Sequence, residues 1–304
     1  MRIGNRSGIS CSELDTDGQP MTKLVMTLLV RDNADIVAAN MDFHLAMGVD
    51  HIVVTNNRSE DATRDIVLNY VRRGVATLID ELDDDYDQSA WVTRMARLAA
   101  RDLSADWIVN SDVDEFWWPV EGNLKTMFSA IPPAYGTLPA PRLNFLPMRT
   151  LSSVFWREMV WRHAVSRNAL GEPLPGKVAH RAALDVVVAA GNHAAASVSL
   201  GPPEPGGSIV IFHFPYRSYL QYSGKIAKGG PAVANNRKAG ADAFHTWRQH
   251  HKLQSEHGLE EWFRNLAHGD DPTIEELALK GEVVRDTRLR TFMENIGGGK
   301  ERAT

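Results

Sequence analysis

The residues with the clearest potential for chemistry are three carboxylates in the segment NSDVDEFWW. Asp112, Asp114 and Glu115 lie there between an apolar run and a pair of tryptophans. Neighbouring carboxylates repel each other unless a cation or a proton lies between them. On an extended backbone, residues two apart point to the same side, so Asp112 and Asp114 are expected to face one point. Carboxylate oxygens suit Mg²⁺ or Mn²⁺, and the pair therefore predicts a divalent-metal site.

The alternative interpretation of this motif is a solvated acidic turn followed by an aromatic core patch. The position of the motif decides between the two readings, because it directly follows a predicted strand at 106–110. In open α/β sheets, ligands bind outside the carboxyl ends of the strands. The metal site is therefore the favoured interpretation, with Glu115 either a group that supports the ligands or an N-terminal residue of a helix.

The elements that must position this motif alternate regularly along the first half of the chain. Short apolar runs predict strands, and segments with apolar residues four apart predict helices. The predicted strands are 23–30, 50–55, 75–79 and 106–110, and the predicted helices are 34–48, 61–73 and 88–103. Asn33 is predicted to cap the first helix and Gly48 to end it. This alternation predicts an α/β fold with a Rossmann-like, open, mostly parallel sheet and helices on both faces.

The second half of the chain is less regular. Strands are predicted at 184–189 and 208–214, and the chain is predicted to be mostly helical from Tyr219 onward. We expect a mobile polar leader at 1–20 and one main domain at 21–230, whose halves are 21–120 and 121–230. Residues 231–304 are expected to form a helical C-terminal extension packed on the same domain.

The totals exclude several classes of protein. The 304 residues carry a net charge of −5, so there is no basic footprint for nucleic acid. Cys11 is the single cysteine, which excludes an internal disulfide and predicts a reducing, cytoplasmic location. No stretch reaches the roughly 18 apolar residues of a transmembrane segment. Peripheral contact with the inner face of a membrane is compatible with this composition.

Two blocks of the sequence resemble family 2-like glycosyltransferases with a GT-A fold. The first comprises RDNAD, FHLAMGVDHIVVTNNRSEDAT and ADWIVNSDVDEFWWP, and the second comprises GNHA and IFHFPYRSYLQYSGKIAKGG. The resemblance implies a GT-A-type catalytic domain that binds a nucleotide-diphosphate sugar, with Mn²⁺ or Mg²⁺ held on the diphosphate by the D-x-D motif. It favours a UDP-sugar donor, a hydroxyl acceptor and inversion at the transferred sugar.

The same resemblance implies roles for individual residues. The implied metal ligands are Asp112, Asp114 and His213. The implied contacts to the nucleotide sugar lie on the loops after the first two strands, on the third helix and at the motif: Arg31, Asp32, Asn33, Asn56, Arg58, Asp61, Arg94 and Asp112.

Basic residues follow His213 along the chain. Arg217 and Lys225 are predicted donor contacts, because a diphosphate leaving group gains negative charge as the sugar bond breaks. A solvated basic face is the alternative for them and for Lys228. His193, in GNHA, is predicted either to face the acceptor or to brace its own loop.

Inverting transfer needs a base for the proton of the acceptor hydroxyl. Glu158 and Asp185 are the candidates, with a salt bridge and a turn cap as their respective structural alternatives.

Three functions compete at this stage. The first is metal-dependent hexosyl transfer to a saccharide, a lipid-linked sugar or a small molecule, as in polysaccharide biosynthesis. The second is a non-catalytic nucleotide- or sugar-binding module on a degenerate transferase fold, because Asn33 and Asn56 stand where the family usually has acidic residues. The third is an Asp-x-Asp phosphohydrolase, which is less favoured because that chemistry usually places the motif on the first strand.

Overall fold

The structure is a computed structural model that describes residues 22–83, 87–149, 151, 154–167, 172–235, 245–267 and 272–298. The predicted polar leader and Cys11 lie outside these described residues.

A central sheet of six strands confirms the predicted α/β fold. Its strands are β1 Leu24–Val30, β2 His51–Asn57, β3 Ala76–Glu81, β4 Trp107–Asp112, β6 Thr137–Ala140 and β9 Lys177–Arg181. Their order in the sheet is β3-β2-β1-β4-β9-β6. Strands β1 to β4 pair in parallel, whereas β9 is antiparallel to both β4 and β6. The sheet is therefore mostly parallel, and the chain order reverses beside β1.

The remaining strands form three smaller sheets, one of three strands and two of two strands. They are β5 Glu115–Pro119, β7 Arg142–Asn144, β8 Trp161–His163, β10 Val187–Val188, β11 Ala195–Ala196, β12 Ile209–His213 and β13 Val283–Arg285. Strand β12 lies between β5 and β7 in a three-stranded sheet, and β10 pairs with β11 and β8 with β13. The strand predicted at 208–214 is thus β12, whereas the one predicted at 184–189 shortens to the two residues of β10.

Helices pack on both faces of the central sheet and dominate the C-terminal part, as predicted. They are α1 Val37–Ala46, α2 Thr63–Arg72, α3 Gln88–Asp102, α4 Leu124–Ser129, α5 Phe155–Glu158, α6 Tyr219–Asn235, α7 His245–Ser255, α8 Leu259–Leu266, α9 Pro272–Leu279 and α10 Arg288–Gly298. Among the helices in the described ranges, none is long and apolar enough to cross a bilayer.

Alternation along the strands divides the core into two apolar layers. One layer lies on the face that carries α1, and it includes Met26, Leu28 and Val109 of the sheet. The other lies beneath α3 and includes Val25 and Ile108. Because β1 and β4 are buried on both faces, most of their side chains are apolar at successive positions, and the buried Thr27 and Asn110 satisfy each other by a hydrogen bond of 2.8 Å.

The start of α1 differs from its prediction. The helix begins at Val37 and no side chain caps it, whereas the Asn33 carbonyl accepts a hydrogen bond from Val37 N at 2.9 Å. The Asn33 side chain instead accepts one from Arg31 N at 3.0 Å. The end of α1 is as predicted, because Gly48 has a φ of +96° just beyond Ala46.

Alanine substitutions at two glycines distinguish the cost of backbone strain from the cost of a steric clash. Gly48→Ala is expected to lower the free energy of unfolding by more than Gly74→Ala, although both residues have positive φ, +96° and +74°. A left-handed conformation costs roughly 1–2 kcal/mol for a residue with a Cβ. At position 48 that Cβ would also lie 2.8 Å from Lys125 Cβ, whereas no described atom lies within 4 Å of it at position 74. Urea denaturation measures both variants, and equal losses would contradict this account.

Candidate active site

The acidic motif lies where the chain turns between β4 and β5. Asp112 is the last residue of β4, Val113 and Asp114 form the turn, and Glu115 begins β5. The prediction that Asp112 and Asp114 share one extended segment is therefore wrong. The turn gives the two carboxylates different partners.

Helix α1 fixes the shape of this turn from below. The fully buried Asn40 donates hydrogen bonds to Val113 O at 3.0 Å and to Glu115 O at 2.8 Å. One helical turn further on, His44 Nε2 accepts a hydrogen bond from Trp117 N at 3.2 Å. The sequence signal for this contact is two polar side chains four apart on the apolar face of α1.

Protein groups already satisfy both carboxylate oxygens of Asp112. Its Oδ1 accepts hydrogen bonds from Gln88 Nε2 and Asn192 Nδ2, each at 3.2 Å. Its Oδ2 accepts one from the Lys177 ammonium. Asp112 is thus held by three parts of the chain: the start of α3, strand β9 and the turn at 190–192.

Lys177 brings a buried positive charge into this cluster. Its side chain is 2% exposed, and its Nζ lies 2.8 Å from Gly191 O and 3.2 Å from Glu115 Oε1, in addition to its contact with Asp112. Burial disfavours the ammonium charge, but the Asp112 and Glu115 carboxylates outweigh burial and raise its pKa. Lys177 is therefore a permanent cation beside the motif.

Glu115 is the buried acid of the cluster. Its Oε2 accepts a hydrogen bond from Asp112 N at 3.1 Å, and Arg142 Nη1 lies 3.7 Å from its Oε1. Burial raises the pKa of Glu115 to about 7, because it outweighs Lys177 and Arg142 and acts together with the nearby Asp112 and Asp114 charges. Glu115 therefore titrates near neutral pH.

Asp114 faces a different set of groups. Its Oδ2 lies 3.3 Å from Lys225 Nζ, and its Oδ1 lies 3.6 Å from His213 Nε2. Burial opposes its charge, but the cations Lys225 and Arg217 hold the pKa of Asp114 well below its usual range. Asp114 is accordingly ionised at neutral pH.

The orientation of His213 fits a cation between this residue and Asp114. His213 Nδ1 lies 2.7 Å from Asn144 Oδ1, which can only accept, so the proton is on Nδ1. Burial lowers the pKa of His213 to about 3, and the lone pair of its neutral Nε2 faces the Asp114 carboxylate. A histidine that ligates a metal through one nitrogen typically donates the other N–H in this way.

The donor set falls short of a complete metal site on its own. No group of three His, Cys, Asp or Glu side chains in the described part of the chain is arranged to hold a metal ion. An ion held by Asp114 and His213 would therefore need oxygen ligands from water or from a substrate, which is common for Mg²⁺ and its relatives.

The loops after β1 and β2 are joined to each other by side chains predicted to bind the nucleoside. Asp32 Oδ1 accepts a hydrogen bond from Glu60 N at 2.7 Å, and Asp61 Oδ2 accepts one from Ala34 N at 3.0 Å. Asp32 and Arg58 adopt left-handed conformations, with φ of +50° and +53°. The two aspartates therefore shape the rim of the site.

Polar side chains also meet at the ends of β2 and β3. Asn56 Nδ2 donates to Asp80 Oδ1 at 3.0 Å, and Arg64 Nη2 donates to Asp80 Oδ2 at 2.7 Å. Arg94, a predicted donor contact, instead forms an ion pair with Glu81 at 2.8 Å. The sequence analysis did not select Asp80, although this acidic residue directly follows the strand predicted at 75–79.

Arg31 and Asn33 line the same end of β1. Arg31 Nη1 donates to Asn57 Oδ1 at 3.3 Å, and Asn33 is buried beneath this loop. The structure therefore brings these two predicted residues together with the β2 loop at the rim.

Cations from α6 and the loop before it reach across these strand ends. Arg217 makes two hydrogen bonds to the Asp35 carboxylate, at 2.6 and 3.2 Å. Lys228 Nζ lies 2.7 Å from Asp32 and 2.8 Å from Glu60. Together with Lys225 on Asp114, these contacts hold α6 over the site, so the structure brings the predicted Arg217 and Lys225 close to the motif.

The two predicted base candidates lie on α5 and on the loop before β10. The exposed Asp185 accepts hydrogen bonds from Ser197 Oγ at 2.6 Å and from Val198 N at 3.2 Å, so its carboxylate closes its own loop. Glu158 is the last residue of α5, whose Phe155 packs in the core. A role of either carboxylate as the base stays a prediction.

Sequence reasoning missed three of the residues that hold Asp112. They are Gln88, Lys177 and Asn192, which are distant from Asp112 in the sequence. The residues next to each of them in the sequence suggest only an ordinary structural role. Lys177 begins strand β9, KVAHR, whose other charged and polar residues give no signal that this lysine is buried.

No protein-family model matches the chain, and no curated protein matches it. Solved structures of glycosyltransferases are similar to it at low identity. TarS 1-349 from S. aureus has a TM-score of 0.40 and 11% identity, covering 93% of this chain and 92% of that one.

Two further structures show a comparable likeness. The mannosyltransferase PcManGT from Pyrobaculum calidifontis, in complex with GDP-Man and Mn²⁺, has a TM-score of 0.38 and 14% identity, covering 91% of this chain and 84% of that one. Glucosyl-3-phosphoglycerate synthase from Mycobacterium tuberculosis, with Mn²⁺, UDP and phosphoglyceric acid, has a TM-score of 0.33 and 15% identity, covering 58% and 61%. These scores are low, so the assignment of a function depends on the residues of the site.

Asn40→Ala is expected to lower the free energy of unfolding by about 2–4 kcal/mol, because it leaves two buried carbonyl oxygens without their donor. Urea denaturation measures this loss. Asn69→Ala, on the exposed face of α2, is the matched control and is expected to change stability by less than about 0.5 kcal/mol. Similar effects of the two substitutions would show that Asn40 does not anchor the turn.

Glu115→Gln tests the titration of the buried acid. The pKa of Glu115 in the folded protein, about 7, lies above its ordinary value of 4.5, so folding favours the protonated form. Its contribution to stability is therefore complete below its ordinary pKa and is lost as the pH rises through about 7. The difference in unfolding free energy, wild type minus variant, is expected to fall between about pH 4.5 and pH 7.

Urea denaturation at several pH values measures this difference. Buried His44 and His180, whose pKa values are lowered by burial, titrate in both proteins and cancel in the comparison. A difference that is constant over this pH range would mean that Glu115 stays ionised in the fold.

Proposed function

We propose that this chain is a metal-dependent glycosyltransferase that moves a sugar from a nucleotide-diphosphate sugar to a hydroxyl acceptor. One observation carries the proposal: Asp114 Oδ1 and the lone pair of His213 Nε2 face each other at 3.6 Å. They do so at the carboxyl end of β4, next to β1, where the order of the strands reverses. In open α/β sheets this switch point is where ligands bind.

Asp114 and His213 would hold the ion, Mn²⁺ or Mg²⁺, and the diphosphate of the donor would complete its ligands. When bound, the ion supplies positive charge to the diphosphate oxygens. The predicted role of Asp112 as a further ligand requires that its carboxylate leave Lys177, to which it is bonded in this structure.

The cations of α6 have a role in the same reaction. Lys225 is 33% exposed and lies against Asp114, so it can turn toward a diphosphate that displaces it. Arg217 is buried and fixed by Asp35, so it holds the loop before α6 in place. Positive groups fixed beside the leaving diphosphate stabilise the charge that develops as the sugar bond breaks.

The nucleoside is assigned to the rim formed by the loops after β1 and β2. Arg31, Asn33 and Arg58 line this rim, and Asn56 lies beside Asp80 at its base. An amide side chain offers both a donor and an acceptor, as the edge of uracil does. This arrangement favours a UDP-sugar among the nucleotide sugars.

A binding module without turnover is the second candidate. It is supported by the state of Asp112, because both of its oxygens accept hydrogen bonds from protein groups. Such a module would bind the nucleotide but would not release a nucleoside diphosphate from its sugar conjugate.

Calorimetric titration of UDP, GDP and TDP, with and without Mn²⁺, tests the proposal. At least one nucleotide is expected to bind about tenfold or more tightly with Mn²⁺, since the ion would bridge the diphosphate to Asp114 and His213. Asp114→Ala is expected to remove this dependence on Mn²⁺. Asp102→Asn, an exposed carboxylate on α3, is the control and is expected to bind like the wild type.

Circular dichroism establishes that each variant is folded. A folded wild type that binds none of the three nucleotides would contradict the donor class. Tight binding that is unaffected by Mn²⁺ would contradict the metal site, and binding without turnover of any sugar conjugate would favour the second candidate.

A further inference from the structure

The turn at 190–192 brings a histidine back over its own backbone, next to the acidic motif. Gly191 and Asn192 both have left-handed conformations, with φ of +73° and +59°. A Cβ at position 191 would lie 2.6 Å from the Nε2 atom of His193, so only glycine leaves room for that ring. The sequence GNH therefore specifies a turn that fixes the position of an imidazole.

The residues before His193 are bonded to the groups that hold Asp112. Gly191 N donates to Gln88 Oε1 at 3.0 Å, and Gly191 O accepts from Lys177 Nζ at 2.8 Å. Asn192 Nδ2 donates to Asp112 Oδ1 at 3.2 Å. His193 thus follows directly on a segment that is bonded once to the motif and twice to groups that hold Asp112.

A second contact fixes the tautomer and the direction of the ring. His193 Nδ1 lies 2.6 Å from Gly176 O, and a carbonyl oxygen can only accept, so Nδ1 carries the proton. Gly176 directly precedes Lys177, and a Cβ there would lie 2.7 Å from Ala140 O, so the backbone at this position packs closely against β6. The neutral ring consequently keeps a lone pair on Nε2, and the residue is exposed to solvent.

Partial burial is the main reason that His193 favours its neutral form. Partial burial lowers its pKa, and Lys177 and Arg142 act in the same direction, against the opposing effects of the Gly176 carbonyl and the Asp112 carboxylate. A neutral imidazole at physiological pH is the form that can accept a proton.

We propose that His193 Nε2 is the general base that takes the proton of the acceptor hydroxyl. This inference depends on the proposed transferase function. In the step, the acceptor oxygen forms a bond to the anomeric carbon, and the bond from that carbon to the diphosphate oxygen breaks. The electron pair of the broken bond leaves with the nucleoside diphosphate, and the hydroxyl proton moves to Nε2.

Two groups favour the imidazolium that this step creates, against the burial, Lys177 and Arg142 that lower the pKa of His193. The Asp112 carboxylate is near enough to favour the positive charge, while Gly176 O keeps the ring oriented through Nδ1. Because the side chain is exposed, the proton can pass on to water after transfer. Asp185, by contrast, accepts hydrogen bonds with both carboxylate oxygens inside its own loop.

Two substitutions at this position separate catalysis from structure. His193→Asn keeps a short N–H donor toward Gly176 O but has no basic nitrogen, and His193→Ala leaves space for free imidazole. The probes are UDP-glucose and GDP-mannose with Mn²⁺ and with glycerol as the hydroxyl acceptor, and the readout is release of the nucleoside diphosphate. Both variants are expected to lose about 100-fold or more in kcat.

Two further readouts exclude a merely structural role. The Kd for UDP with Mn²⁺ is expected to stay within about twofold of the wild-type value, because His193 makes none of the proposed donor contacts. Added imidazole is expected to restore turnover in His193→Ala but not in His193→Asn, where the amide occupies the space. Glu158→Gln and Asp185→Asn are measured in parallel.

Several outcomes would overturn the inference. One is wild-type turnover by His193→Asn, and another is a loss of at least that size in Glu158→Gln or Asp185→Asn alone. A wild type that binds nucleotide but never releases it from either conjugate would remove the step that needs a base. A wild type that binds no nucleotide would instead contradict the transferase function itself, so the two failures are distinguishable.

Discussion

The site depends on the buried ammonium of Lys177. This one group contacts Asp112 Oδ2, Glu115 Oε1 and Gly191 O, and so joins strand β9 to the motif and to the turn before His193. Burying an unpaired ammonium or an unpaired carboxylate costs several kcal/mol per ion. The Lys177 ammonium and the carboxylates of Asp112 and Glu115 are therefore stable in the interior only together, and each fixes the position of the others.

This interdependence explains why carboxylates occur among apolar residues at the end of β4. The apolar strands place the turn in the interior, and the turn is held there by Asn40, which satisfies two of its carbonyl oxygens. In that low-dielectric setting the electrostatic interactions between charged groups are stronger than at the surface. Glu115 responds by titrating near neutral pH, whereas Asp114 stays ionised because cations surround it.

Much of the fold was predictable from the sequence, because helix and strand periodicity is local information. The strand that ends at the motif was predicted for that reason. The position of the motif at the carboxyl end of a parallel strand followed from the same periodicity. The donors to Asp112 were not predictable, since Lys177 lies 65 residues away and Asn192 lies 80 residues away. A single sequence does not show which distant polar residue meets a given carboxylate.

The prediction that Asp112 and Asp114 lie on one extended segment was wrong for a local reason. Alternation along a strand holds only while the strand continues, and the turn at Val113 and Asp114 ends it. The turn gives the two carboxylates different partners. Asp112 is bonded to the buried Lys177, and exchange of this bond would leave that lysine with one carboxylate partner instead of two. Asp114 is bonded to Lys225, which is partly exposed and can move away. The carboxylate open to exchange is therefore Asp114, beside His213, where the proposed ion and diphosphate would bind, while Asp112 and its donors hold the turn that precedes His193.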